Sequence, residues 1–179
     1  MYMAERLDAG DVISQHEIVI DDKDDVGTLH DKLSVVGSDL LIDTLPGIFS
    51  GEIRATAQNE ELATFAPPNI KREQEKIDWS QSQQVVYNHI RGLHPWPVAF
   101  TTWQGKVFKV YKAIKTNKQS SASPGTVVEI EEEGLSVATG DKILIKLTVV
   151  QPAGKKKMLF SDFLRGIGSK MKVGERLGE

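Results

Sequence analysis

Three consecutive lysines, Lys155, Lys156 and Lys157, directly follow a Pro152-Ala153-Gly154 turn, so their ammonium groups stand where they could neutralise phosphates. The same run is equally an ordinary solvated loop. Lys71 and Arg72 lie in a stretch without periodicity and read first as solubilising charges. Asp8 sits in Leu7-Asp8-Ala9-Gly10-Asp11, where Gly10 permits a turn and an aspartate ordinarily accepts from nearby backbone N–H groups. Trp96, Trp103 and Tyr111 could stack on bases, but aromatics of a small sheet domain usually fill its interior, and all three are expected in the core.

Other chemistries are poorly served. The chain has no cysteine, which removes disulfides, thiol nucleophiles and zinc–cysteine sites. His16, His30 and His94 are scattered, and no His-x-x-x-His or histidine–carboxylate cluster suggests a metal site. No glycine-rich phosphate loop or Gly-x-Ser-x-Gly motif occurs. Asn88-His89 falls in mid-helix, where polar side chains commonly face solvent, and Glu131-Glu132-Glu133 is expected as a solvated hairpin turn.

The elements that must position these residues differ between the two ends of the chain. Residues 1–69 carry 4 basic and 14 acidic side chains and residues 70–179 carry 18 and 11, or −10 against +7. A basic half favours a polyanion such as RNA about as much as it favours a plain solvated surface. Met1–Met3 and about 12–20 have strand character, and Thr28 can cap a helix whose apolar face is Leu29, Leu33, Val36, Leu40 and Leu41, with Pro46 bending or ending it. Residues 51–76, with Pro67-Pro68 and clustered charge, form a linker. Ser80 is the expected N-cap of a helix carrying Val85, Val86, Ile90 and Leu93, which Gly92 and Pro95 stop. Pro95 and Pro97 then fix the backbone around Trp96 as a rigid elbow. Five segments of strand character follow (100–103, 107–114, 126–130, 135–138 and 143–150) between glycine-bearing turns, which suggests a small closed barrel. Ser161 can cap a short helix, and the tail is basic.

Ile77-Asp78-Trp79, the run from Ile90 to Phe100, Val137-Ala138-Thr139-Gly140-Asp141 and Gln151–Met158 together resemble the C-terminal part of methionyl-tRNA formyltransferases. The resemblance extends over nearly the whole chain. It implies an α+β chain: residues 1–50 as the remnant of a Rossmann-like α/β formyltransferase domain, residues 51–76 as linker, and residues 77–179 as a tRNA-binding barrel of the oligonucleotide-binding type. It implies that Asp8 is the aspartate that orients a catalytic histidine. The family's active-site asparagine and histidine and its folate loop would lie upstream of Met1, so the chain reads as a truncated member that binds no cofactor itself, 10-formyltetrahydrofolate being co-substrate of the intact enzyme. The implied partner is initiator methionyl-tRNA, contacted by Lys155, Lys156 and Lys157 and by Lys71 and Arg72 along the linker. A sugar-nucleotide formyltransferase and a free-standing RNA-binding module are the rival readings.

No run approaches the roughly 18 apolar residues of a membrane span, and a signal-peptide pattern is absent from the first residues. A cytoplasmic monomer is therefore expected, with neither membrane nor DNA as partner.

Overall fold

A computed structural model describes residues 1–66 and 69–179; the Pro67-Pro68 step, expected within a linker, lies outside the described residues. The chain divides into two compact units, Met1–Asn69 and Ile70–Glu179.

The first unit is built on one helix, α1 (Val26–Ser50). Its N-cap is Asp25 rather than Thr28: Asp25 Oδ1 accepts from the Thr28 N–H at 2.9 Å, and Thr28 Oγ1 accepts from the Asp25 N–H at 3.0 Å. This reciprocal box satisfies two N-terminal donors, so the acidic run starts the helix one turn before the threonine. Lys32 reaches back to Asp24 at 2.8 Å and holds that carboxyl below its ordinary range. Pro46 does not end α1, which runs on to Ser50 and stops at Gly51 in the left-handed conformation. Of its residues only Thr44 is buried; Leu33 and Leu41 are exposed. Every fully buried hydrophobic residue among the described residues lies at position 77 or beyond, so no core supports this helix within the first unit. By length and composition alone, α1 would suffice to cross a membrane. Asp39 and Asp43 within it would each cost about 3 kcal/mol at a bilayer centre. The expected strands at 1–3 and 12–20 do not form; Val12 makes one isolated bridge with Thr56 and the rest has no strand to pair with.

The second unit is a six-stranded antiparallel sheet with two short helices. The helix α2 (Gln83–Gly92) precedes β1 (Phe100–Trp103), β2 (Lys106–Gln119), β3 (Val127–Glu131), β4 (Gly134–Ala138), β5 (Ile143–Pro152) and β6 (Met158–Leu159), and α3 (Phe160–Arg165) follows. The spatial order is β1-β2-β5-β4-β3, with β6 beside β4 along the same edge of β5. The sheet is not a closed barrel, contrary to the strand count read from the sequence, because β1 and β3 do not pair. The last residues lie in the gap instead. Val127 donates to Glu175 O and Leu177 to Gly125 O, while Gly178 donates to Thr102 O, so the tail is hydrogen-bonded to both edges.

Helix α2 starts two residues later than expected, at the Ser82 cap, because Asp78 takes the Ser80 N–H and hydroxyl in a preceding turn. Its position on the sheet is set by the 139–141 turn. Gly140 donates to Gln81 O at 2.8 Å, and a Cβ at Gly140 would lie 1.7 Å from Ser80 O, so no side chain fits there. Asp141 Oδ2 accepts from the Gln83 N–H at 3.0 Å, and the Gln83 amide donates to Thr116 O and Leu144 O inside the sheet. Val86 and Ile90 then join Phe108, Leu135, Leu147 and Phe163 in one core. Residue Ser161 does not cap α3; Leu159 precedes it without a side-chain cap.

Candidate functional site

From Trp79 to Val128 the chain has no aspartate or glutamate, while it carries Arg91 and five lysines spaced every third residue from Lys106 to Lys118. The acids are gathered elsewhere. Glu129 and Glu131 pair with Lys118 and Lys146 on the β3–β4 hairpin, while Glu132, 3.6 Å from Arg165, and Glu133 are exposed, so the turn is solvated as expected and only Glu131 of the run is held in a partly buried ion pair. Lys146 holds the Glu131 carboxyl below its ordinary range. The hairpin consumes cations at its own end of the sheet. Among the described residues, Lys109, Lys112, Lys155, Lys156 and Lys157 form no ion pair.

Tyr111 on β2 joins two of the segments singled out by the sequence. Its hydroxyl donates to Gln151 Oε1 at 2.8 Å, and Gln151 Nε2 donates to Lys155 O at 2.7 Å, which fixes the lysine loop from its first member. Lys157 Nζ stands 5.1 Å from the centre of the Tyr111 ring, within cation–π range. Against the same ring packs the edge of His94, 6.1 Å away at 81°. A second ring nearby in sequence, Tyr87 on α2, has Lys115 Nζ at 5.2 Å and Arg91 at 5.6 Å. The Tyr111 contact holds the long Lys157 side chain in place with no carboxylate among the described residues paired to it, an arrangement compatible with a phosphate partner.

His94 belongs to the elbow after α2. Val98 donates to Leu93 O at 2.9 Å, closing the loop, and the His94-Pro95 and Trp96-Pro97 bonds are cis. Val98 is buried at φ 80, a left-handed value that a β-branched residue adopts only under constraint. Of the three aromatics expected in the core, Trp103 is buried and Tyr111 half-buried, but Trp96 is 80% exposed. The prolines on either side fix its backbone away from the sheet, a consequence that residue type alone does not convey.

Lys71 is exposed at the start of a 3-10 turn, Arg72–Glu75. Arg72 is committed locally: its guanidinium lies 4.0 Å over the Phe100 ring and pairs with the buried Glu75. In the first unit, the Asp8 carboxylate is exposed on a loop at φ 53. Gln58 Nε2 donates to Asp8 O and Gly10 O, each at 2.7 Å, and a Cβ at Gly10 would lie 1.7 Å from Tyr2 O. The loop borders a cleft of about 520 Å³ whose lining includes Arg6, Asp11 and Phe65. The two-unit division thus places Asp8 in one body and the lysines in the other. Sequence reasoning missed Gln151, Tyr111 and His94 as the residues that join elbow to lysine loop; the absence of acids from 79–128 is a signal that could have marked His94 and Tyr111, and nothing local marks Gln151.

Comparison with known proteins agrees with the resemblance in sequence. The methionyl-tRNA formyltransferase of Geobacillus thermodenitrificans (strain NG80-2) is 55% identical over 179 residues, covering 100% of this chain and 56% of that protein. That of Bacillus subtilis (strain 168) is 52% identical over 178 residues, covering 99% of this chain and 55% of that protein. The chain therefore spans little more than half the length of these curated relatives. Among solved structures, HypX from Aquifex aeolicus in complex with tetrahydrofolic acid superimposes with a TM-score of 0.68 at 19% identity, covering 96% of this chain and 30% of that one. An N-formyltransferase from Helicobacter canadensis gives 0.65 at 18% identity, covering 84% and 53%. Both share the fold. The family model for the formyl transferase C-terminal domain matches residues 69–168, and the chain belongs to that family.

Proposed function

We propose that this chain is the tRNA-holding part of a methionyl-tRNA formyltransferase, an enzyme that moves a formyl group from 10-formyltetrahydrofolate to the amino group of methionine on initiator tRNA. The observation that carries the reading is the lysine loop tied through Gln151 to Tyr111, beside a 50-residue stretch without acids. Lys155, Lys156 and Lys157 contact phosphates, and Lys71 extends the contact along the linker. Arg72 contributes less, because Glu75 already compensates its charge. These contacts carry no base information and serve to bring the acceptor end to the reaction centre, which is catalysis by positioning.

Formyl transfer needs a base for the attacking amine and donors for the tetrahedral oxyanion. Asp8 is assigned to orient a histidine that the rest of a full-length enzyme supplies, as is the folate site. The first unit is then the end of a Rossmann-like domain whose sheet covers the exposed apolar residues of α1. The working protein is a cytoplasmic monomer.

The test joins this chain to the remaining portion of the Geobacillus thermodenitrificans relative and assays formylation beside tRNA binding. The 179 residues alone are expected to bind tRNA without formylating it, and the joined protein to do both. In the joined protein Asp8→Asn lowers the chemical rate far more than tRNA affinity. Absence of tRNA binding would favour a sugar-nucleotide formyltransferase; RNA binding by a joined protein that never formylates would favour a free-standing RNA-binding module.

A further inference from the structure

Trp96 is, among the described residues of 70–179, the only tryptophan, tyrosine or phenylalanine that stands fully exposed. A single exposed apolar side chain needs no explanation by itself. Here two further observations attach to it. Its backbone is held on both sides by proline and by the Val98 to Leu93 hydrogen bond, so ordering the indole on a ligand costs only its two side-chain torsions. Two residues before it, His94 packs on the Tyr111 ring over which Lys157 stands, so the elbow adjoins the lysine loop. A rigid aromatic face beside unneutralised cations is the arrangement that single-stranded nucleic acid requires, since every base has a π-face and every phosphate a charge.

We propose that Trp96 is a stacking platform for one unpaired nucleobase of RNA, with Lys157 and its loop taking the adjoining phosphates. The inference rests on the RNA reading above and adds to it a non-ionic contact. An unpaired base is required because a base inside a duplex presents no free face. Lysine contacts alone would bind duplex and single strand through phosphates; the tryptophan adds a preference for RNA with an unstacked nucleotide.

The 179-residue chain is titrated with initiator tRNA, a short single-stranded oligoribonucleotide and a blunt RNA duplex, using wild type, Trp96→Leu and Trp96→Phe. Because the side chain is solvent-exposed, all three should share one melting temperature. Trp96→Leu should weaken binding of tRNA and of the single strand by roughly 5- to 150-fold, the range for one lost base stack, and leave the duplex unchanged. Trp96→Phe should keep most of the affinity, since a ring remains. The slope of affinity against salt should stay the same in all three, because stacking releases no counterions. Equal affinity of Trp96→Leu and wild type for the single strand would overturn the platform while leaving tRNA binding intact. An equal loss on duplex and single strand would overturn it too, as would a wild type that binds no RNA; the last outcome alone also removes the RNA reading.

Discussion

Gln151 accepts the Tyr111 hydroxyl at 2.8 Å with one end of its amide and donates to Lys155 O with the other, so a strand residue and an exposed loop carbonyl share one clamp. Replacing Gln151 with leucine removes both bonds at a half-buried site while keeping most of its volume. Each neutral hydrogen bond contributes about 1 kcal/mol. The loss should fall on the loop: amides 155–157 should exchange faster, global stability should drop by no more than about 2 kcal/mol, and tRNA affinity should weaken a few-fold. Native-state hydrogen exchange measures the first effect separately from the others. Unchanged exchange would mean that the loop is ordered by its own turn alone.

Neutralising all three loop lysines tests the proposed phosphate contacts directly. Each lost contact flattens the logarithmic dependence of affinity on salt by roughly one unit, so Lys155→Gln/Lys156→Gln/Lys157→Gln should reduce the slope by up to about three. Discrimination between initiator and elongator tRNA should be unaffected, since phosphate contacts do not read sequence. A salt series on both tRNAs gives the answer; an unchanged slope returns the run to a plain solvated loop.

Much of the second unit is legible in the chain. Helix α2 follows from Val86 and Ile90 on one face with a serine cap, and five strands follow from apolar runs between glycine turns. Closure is not legible, because whether β1 meets β3 depends on where the last six residues go, and that is a long-range matter with no local pattern. The short β6 escaped notice for its length of two residues. Glu132 and Glu133 are solvated as their run suggests, but the pairing of Glu131 with Lys118 and Lys146 joins three segments distant in sequence and has no local signal. In the first unit the strand-like pattern at 12–20 is present, but a strand needs a neighbour, and the chain offers only Thr56. Exposure of Trp96 was hidden for a related reason: residue type argues for burial, and only the path of the elbow decides against it.

The turn carrying Gly140 and Asp141 should contribute to acid stability, beside the other depressed carboxylates of this unit, Asp78, Glu129 and Glu131. Burial pushes the Asp141 carboxyl up, but the Thr139 hydroxyl and the Gln83 and Ile143 N–H groups outweigh that and hold it below the ordinary aspartate value. A carboxylate depressed on folding stabilises the fold above its unfolded pKa, about 3.9, and that contribution disappears as pH falls through the lower folded value. Asp141→Asn should therefore lower stability at pH 7 by about 1 kcal/mol, as for loss of a helix cap, and flatten the dependence of stability on pH below about 4. Urea titrations at pH 7 and pH 3 compare the two proteins. Gly140→Ala should be worse, by about 3 kcal/mol, because its Cβ meets the backbone oxygen of Ser80 and not a movable side chain.

The C-terminal tail fills the gap between β1 and β3. Leu177 is 2% exposed, and Glu175 accepts from the Trp103 indole N–H at 2.7 Å. Thr102 also donates its hydroxyl to Glu179 O, so both sheet edges are occupied by one short segment. Leu177→Ala should cost about 2–5 kcal/mol, the usual range for emptying a buried leucine site. Removing residues 174–179 should do more than destabilise. It would bare the N–H and C=O groups of two adjacent edges, the surface on which a second copy can add its own strand. Truncated protein should therefore associate with rising concentration while the intact chain does not, and sedimentation velocity across a concentration series measures this. A truncated chain that stays monomeric and melts with the wild type would mean that the sheet holds its shape without the tail.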